Sequence, residues 1–345
     1  MTDPANPLGL NGFEFVEFTS PDPEAMARQF EQLGFVPTHR HLTKNITRYK
    51  QGRINLMLNR DADGRVAQFR NEHGASASAM AFRVADPEAA MKWALENGAK
   101  PTIEDDTVIE GIGGSYLYFI QDGIDLYADW AEIPGWQEAE AKNNVGLDLL
   151  DHLTHNVRRG QMRVWSEFYK TLFGFEEQKY FDIKGQATGL FSQAMIAPDK
   201  AIRIPLNESQ DDKSQIEEFI REYHGEGIQH LALTTPDIFD TVERLRARGV
   251  KLQDTIETYY ELVDKRVPGH GEDLERLRKN RILIDGNVGD EGILLQIFTE
   301  NMFGPIFFEI IQRKGNQGFG NGNFQALFES IELDQIRRGV ITVEA

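Results

Sequence analysis

Three side chains with metal-binding atoms sit inside apolar runs in the C-terminal part of the sequence: His152 in LLDHLTH, His230 in IQHLAL and Glu309 in IFFEIIQ. They are spaced 78 and 79 residues apart, too far for one helix or one hairpin to gather them. Three strands side by side in a curved sheet could point all three at one ion. Two imidazoles and one carboxylate on one face of a six-coordinate metal leave up to three positions for substrate and oxygen, the donor set of non-haem iron oxygenases. Each residue also has a plainer reading. A strand histidine often only packs or hydrogen-bonds, and Glu309 could form an edge or interface ion pair with Arg313. A buried carboxylate needs some such partner, and a metal is one way to supply it.

The other histidines lack this pattern. His155 lies three positions beyond His152, so in a regular strand it faces the opposite side and cannot share its metal. His224 precedes a glycine turn, and His39, His41, His73 and His270 occupy polar surroundings. Amides interrupt the apolar strands at Asn207, Gln229 and Gln296, and Gln215 opens the stretch SQIEEFI. Uncharged amides can orient a carboxylate or phenol without changing the charge at a metal. Phe298, Phe307, Phe319 and Phe324 could wall an aromatic pocket, although aromatic residues also serve as plain core. Strand parity puts Gln296 with Phe298 on one face, and Phe307 with Glu309 on one face of another strand.

Composition narrows the alternatives. There are no cysteines among the 345 residues, which removes disulfides, thiol nucleophiles and thiolate metal sites and leaves histidine and carboxylate as metal donors. With 37 basic and 55 acidic residues the formal net charge is -18, and basic residues cluster only briefly, in QRKG and IRRG. Binding to nucleic acid or to an anionic membrane is therefore not expected. No 18-residue apolar window and no signal-like N-terminus occur, so the expected location is the cytoplasm.

The elements that must position these residues repeat. GFEFVEFTSPDPEAMARQFEQLGFVP, residues 12 to 37, reads as a strand, a helix start at Ser20-Pro21-Asp22-Pro23, and an apolar stripe through Met26, Phe30 and Leu33 ending at Gly34. Residues 149 to 177 carry the same order, with a stripe through Trp165, Phe168, Tyr169 and Leu172 before Gly174. Residues 78 to 100 and 229 to 251 superimpose at a constant offset of 151, matching Gly98 with Gly249. Four related modules follow, each of one strand, one helix and about three more strands. The polar WQEAEAKNNVG, residues 137 to 147, reads as the linker, with domains 1–145 and 146–345. The charged segment from Val263 to Lys279 reads as a partly helical surface insertion.

The halves differ where the chemistry would be. At the constant offset His230 corresponds to Ala79. The region matching His152 reads EFVEF, and the region matching Glu309 reads GIDLYAD.

The stretches DHLTHNV, RIPLNE, SQIEEF, GEGIQHLAL, TYYE, LLQIFTE, FFEIIQRKGNQGFGNGNFQALFESIE and QIRRG, in this order, resemble the bacterial-type 4-hydroxyphenylpyruvate dioxygenases of the vicinal-oxygen-chelate superfamily. The resemblance is dense over residues 149 to 345 and looser through the N-terminal half. It implies an α+β fold of paired βαβββ modules, forming an open barrel in each of two domains. The first domain would be structural, without metal and suited to assembly; the second would be catalytic, ending in a lid helix from Asn323 to Gln335.

The resemblance further implies one Fe(II) per subunit on His152, His230 and Glu309. It places Ser192, Asn207, Gln215, Gln229, Gln296 and Asn323 near the ring and hydroxyl of the substrate, with Phe298, Phe307, Phe319 and Phe324 around the aromatic pocket. The implied reaction takes 4-hydroxyphenylpyruvate and O2 to homogentisate and CO2 by oxidative decarboxylation, ring hydroxylation and side-chain migration, within tyrosine breakdown. O2 is the co-substrate, and 2-oxoglutarate is not needed because the substrate is itself a 2-oxo acid. Relatives suggest a homotetramer or homodimer. The nearest alternative is 4-hydroxymandelate synthase, which oxidises the benzylic carbon of the same substrate. More distant ones are an extradiol ring-cleaving dioxygenase and a non-enzymatic small-molecule binding protein.

Overall fold

A computed structural model describes residues 5–102, 107–184 and 189–327. Its elements follow the modular order read from the sequence. The first module is β1 (Phe13–Thr19), α1 (Pro23–Gln32), β2 (Val36–Arg40), β3 (Ile46–Gln51) and β4 (Ile54–Asn59). After α2 (Gly64–His73), the second is β5 (Ser76–Val84), α3 (Pro87–Glu96), β6 (Val108–Glu110) and β7 (Tyr116–Gln121). Among the described residues this module has one strand fewer than expected, and an isolated bridge joins Pro101 and Ile109. The short β8 (Ala131–Glu132) and α4 (Trp136–Asn143) lead out of the N-terminal half.

The third module is β9 (Leu149–Val157), α5 (Met162–Phe173), β10 (Glu176–Lys184), β11 (Gly189–Ile196) and β12 (Arg203–Ser209), followed by α6 (Gln215–Glu222). The fourth opens with β13 (Gly227–Thr234) and α7 (Ile238–Ala247). It then inserts α8 (Glu257–Glu261), α9 (Val263–Arg266) and α10 (Leu274–Asn280) before β14 (Leu283–Asn287), β15 (Gly292–Phe298) and β16 (Phe307–Lys314). A last described helical stretch covers residues 321–327.

Two eight-stranded sheets result, ordered β6-β7-β5-β1-β4-β3-β2-β8 and β10-β11-β12-β9-β13-β16-β15-β14. Each module's first strand lies at the centre beside its last, as in β1 with β4 and β9 with β12, both parallel pairs. A strand, crossover helix and returning strands thus curl into half of an open barrel. By internal contacts the chain forms two units. One comprises Met1–Asn144, Leu149–Ala232 and Asn301–Phe307; the other comprises Val145–Asp148, Leu233–Glu300 and the chain from Phe308 onward.

Local chemistry explains the helix starts. Asp22 accepts from the Ala25 N–H with Pro23 in the first turn, Asp86 does the same for Glu88 and Ala89 with Pro87, and Asp237 accepts from the Asp240 N–H. Met26, Phe30 and Leu33 are buried as the periodicity requires.

Two readings are corrected. GIDLYAD is not the counterpart of β16. The strand parallel to β5 is β7, as β16 lies beside β13, because the α8–α10 insertion breaks the constant offset. Tyr127 of GIDLYAD instead packs on Phe15, Ile46, Met57 and Ala81. The insertion lies largely at the surface as expected, and the buried Val263, Val267 and Leu277 anchor it. His73 is buried too, its Nδ1 2.7 Å from the Tyr223 carbonyl oxygen. No helix among the described residues is long and apolar enough to cross a membrane.

Candidate metal centre

His152 on β9, His230 on β13 and Glu309 on β16 are all buried, and each offers a ligand atom such that the three lie within 4.8 Å of one another. The imidazole rings are 5.5 Å apart and nearly perpendicular, at 76°. Parity along β9 keeps His155 out. It turns the other way, its Nε2 2.7 Å from the Tyr169 hydroxyl of α5, and burial pushes its pKa down to about 3.

Each candidate ligand is held by a second side chain. The His152 Nδ1 lies 2.8 Å from Oδ2 of Asp151, whose Oδ1 accepts from Arg203 Nη1 at 3.3 Å. The His230 Nδ1 lies 2.9 Å from Oε1 of Gln229. These oxygens only accept, so each ring carries its proton on Nδ1 and presents the Nε2 lone pair for coordination. On Glu309, Oε1 accepts from Gln296 Nε2 at 3.0 Å. Phe307 stacks on the His230 ring at 4.9 Å and 20°.

The alternative partner of Glu309, Arg313, donates to the carbonyls of Asn316 and Gly318 and lies over the Phe319 ring at 5.9 Å. Asp151 and Arg203 were missed in the sequence. In an ideal strand Asp151 points away from His152, and nothing local shows its carboxylate turning back.

The remaining expected residues fall into two groups. Ser192 and Asn207 are direct partners across β11 and β12, and Asn207 is in turn the partner of Asn156 on β9. Paired residues share a face, and Asn156 is four positions from His152, so this polar row lies on His152's side of the sheet, about 13 Å along the strand. Asn156 was also missed. It is fully buried, and neither of its amide atoms has a hydrogen-bond partner among the described residues.

In the other group, Phe298 pairs directly with Glu309, and Gln296 with Ile311, so Gln296, Phe298 and Glu309 share a face as parity required. Asn323 is buried and its Nδ2 donates to Gln296 Oε1 at 2.9 Å. Phe324 is 40% exposed. Gln215 is exposed in the first turn of α6, apart from these hydrogen bonds. Phe328, Ile331 and Gln335 of the expected lid helix lie outside the described residues.

Residues 5–131 match the family described as hydroxyphenylpyruvate dioxygenase, N-terminal, and residues 149–262 match the glyoxalase, bleomycin resistance protein and dioxygenase superfamily. The chain is 56% identical to a 4-hydroxyphenylpyruvate dioxygenase of Pseudomonas aeruginosa, over 97% of each chain. It is 53% identical to Hemolysin VllY of Vibrio vulnificus, over 99% of each, and 48% identical to a 4-hydroxyphenylpyruvate dioxygenase of Legionella pneumophila, over 97% and 98%. Among solved structures, a triple mutant of 4-hydroxymandelate synthase from Streptomyces coelicolor matches with a TM-score of 0.81 at 26% identity, covering 95% of this chain and all of that one.

Proposed function

This chain belongs to the 4-hydroxyphenylpyruvate dioxygenase family, and we propose from that membership that it converts 4-hydroxyphenylpyruvate and O2 to homogentisate and CO2 on a ferrous ion held by His152, His230 and Glu309. The observation that carries the reading is the converging buried donor set, with both imidazoles presenting Nε2. Two neutral nitrogen donors and one carboxylate suit Fe(II) and leave coordination positions open. Iron bound there would supply the activation of dioxygen and anchor the 2-oxo acid of the substrate. The protein's own work is to hold the ring in place and exclude water.

In this reading Phe298, Phe307 and the aromatic residues Phe319 and Phe324 border the ring. The polar row of Ser192, Asn207 and Asn156 receives its hydroxyl. Asn156 supports the assignment: a buried amide without a partner costs stability, and a ligand hydroxyl or a water it holds would satisfy both of its atoms. Gln296 and Asn323 stand beside the carboxylate ligand. Gln229 acts through His230, and Gln215 would reach a ligand only by moving from its exposed position. The domain division 1–145 and 146–345, a cytoplasmic location and a homotetrameric or homodimeric assembly belong to the same reading.

The structural likeness to 4-hydroxymandelate synthase keeps benzylic oxidation as the second reading. Loading the protein anaerobically with ferrous ion and 4-hydroxyphenylpyruvate, adding oxygen and identifying the product separates the two. Homogentisate is expected; 4-hydroxymandelate would defeat the proposal.

A further inference from the structure

Glu309 is the inner end of a chain of buried hydrogen bonds that runs out into the α8–α10 insertion. Its Oε1 accepts from Gln296 Nε2 at 3.0 Å, and Gln296 Oε1 accepts from Asn323 Nδ2 at 2.9 Å. Asn323 Oδ1 in turn accepts from the Tyr259 hydroxyl at 2.6 Å and from Arg266 Nη1 at 3.4 Å. The Tyr259 oxygen accepts from the Ile284 N–H at 2.9 Å. The Tyr259 hydroxyl has a second, more distant acceptor in the Ile284 carbonyl oxygen at 3.1 Å; with its proton on the shorter contact to Asn323, every donor in the series points toward the carboxylate.

An amide has no intrinsic reason to sit this way round, because exchanging its oxygen and nitrogen changes its shape little. The two groups at the outer end decide it. If Asn323 flipped, its NH2 would face the Arg266 guanidinium, donor against donor, and Gln296 would lose its own donor and have to flip in turn. Its carbonyl oxygen would then face the Glu309 carboxylate.

Burial pushes the Tyr259 pKa up to about 12, so its hydroxyl remains a donor at any working pH. The Arg266 guanidinium also lies 4.8 Å from the Tyr259 ring centroid and donates to the Ile284 carbonyl at 3.0 Å, which fixes it in place. The chain is also confined by Gly320. A Cβ there would come within 1.6 Å of Gln296 Oε1.

We propose that Tyr259 and Arg266 are positioning residues: acting through Asn323 and Gln296, they fix the orientation of Glu309 and so tie the start of the C-terminal segment to the metal centre. The inference rests on the metal reading above. It gives the insertion a task specific to the module that carries Glu309, and it couples residues 64 positions apart. Groups outside the ligand set that orient a ligand are worth about 10 to 100-fold in metal affinity when they touch it directly. Two links further out, Tyr259 is expected to be worth about 3 to 10-fold.

The test is anaerobic titration of the metal-free full-length chain with Co(II), followed by the absorption of the bound ion and needing no turnover. Tyr259→Phe and Arg266→Met should each weaken Co(II) binding by about 3 to 10-fold and alter its spectrum, with Arg266→Lys restoring both. Tyr260→Phe, which removes a hydroxyl from the same buried helix but not from the chain, should change affinity less than twofold. In a Gln296→Leu background, where the chain is already cut, Tyr259→Phe should have no further effect. Because Arg266→Met leaves the Tyr259 hydroxyl in place, it decides the matter even where Tyr259→Phe folds poorly. Unchanged affinity in both variants, or the same loss from Tyr259→Phe with and without Gln296, overturns the inference and leaves the metal reading standing. A wild-type chain that binds no Co(II), or a His152→Ala chain that binds it as well as wild type, overturns both.

Discussion

Asp151→Asn isolates what the residues behind the ligands contribute, because it changes charge and donor pattern with little change of shape. Asp151 grips His152 Nδ1 at 2.8 Å and Arg203 Nη1 at 3.3 Å, with its own side chain and that of His152 only 3% and 2% exposed. An asparagine can offer its oxygen to only one of these two donors, so its NH2 opposes the other. If it opposes the imidazole, His152 carries its proton on Nε2, where coordination would have occurred. Losing such an orienting partner is worth about 10 to 100-fold in metal affinity, or about 1.4–2.8 kcal/mol. Arg203, whose side chain is only 12% exposed, loses its carboxylate as well. The stability cost of that is bounded by the about 3–5 kcal/mol seen when one partner of a buried pair is removed. Anaerobic metal titration gives the first quantity and denaturant unfolding of the metal-free chain gives the second. An Asp151→Asn chain that is destabilised yet binds metal within twofold of wild type would show that the pair only stabilises the fold, and the tautomer argument would fail.

Other outcomes follow from the same geometry. His155 stays neutral in the folded chain down to about pH 3, whereas an exposed histidine takes up a proton near 6.5. Between those values only the unfolded chain binds that proton, so stability falls as pH drops, by about 2 kcal/mol between pH 6.5 and 5. His155→Gln should remove this part of the acid sensitivity, seen as a smaller shift in urea midpoint between pH 7 and pH 5; an unchanged shift would contradict the burial argument. Asn156→Leu should raise KM for 4-hydroxyphenylpyruvate by up to about tenfold, the worth of one hydrogen bond. It should leave KM for phenylpyruvate, which lacks the hydroxyl, and the metal affinity unchanged; equal effects on both substrates would remove Asn156 from the hydroxyl's surroundings.

The sequence made some parts of this legible and hid others for definite reasons. His230 could be found against Ala79 because β5 and β13 both open a module, before any insertion disturbs the offset. Glu309 could be found only as an anomalous carboxylate in an apolar strand, since α8, α9 and α10 destroy the register between the halves and pointed its comparison at GIDLYAD. Alternation was enough to separate His155 from His152 and to put Gln296 and Phe298 on one face. It could not show that Asp151 turns its carboxylate back to its neighbour, because alternation assigns adjacent side chains to opposite faces. Nor could it connect Tyr259 with Asn323, whose meeting depends on how the insertion packs against the strands that follow it. Gln215 shows the reverse case. Its place in SQIEEF carried an expected role, yet as the first residue of a helix capped by Ser214 it is exposed.

Whether His152, His230 and Glu309 hold the ion on which the reaction depends can be read from bound iron and turnover measured on the same samples of wild type and Glu309→Ala after anaerobic loading with Fe(II). About one iron per wild-type chain with homogentisate formation is expected. Iron binding should be severely weakened and turnover abolished in the variant, with circular dichroism unchanged. A Glu309→Ala chain that retains wild-type iron and turnover would contradict the assignment.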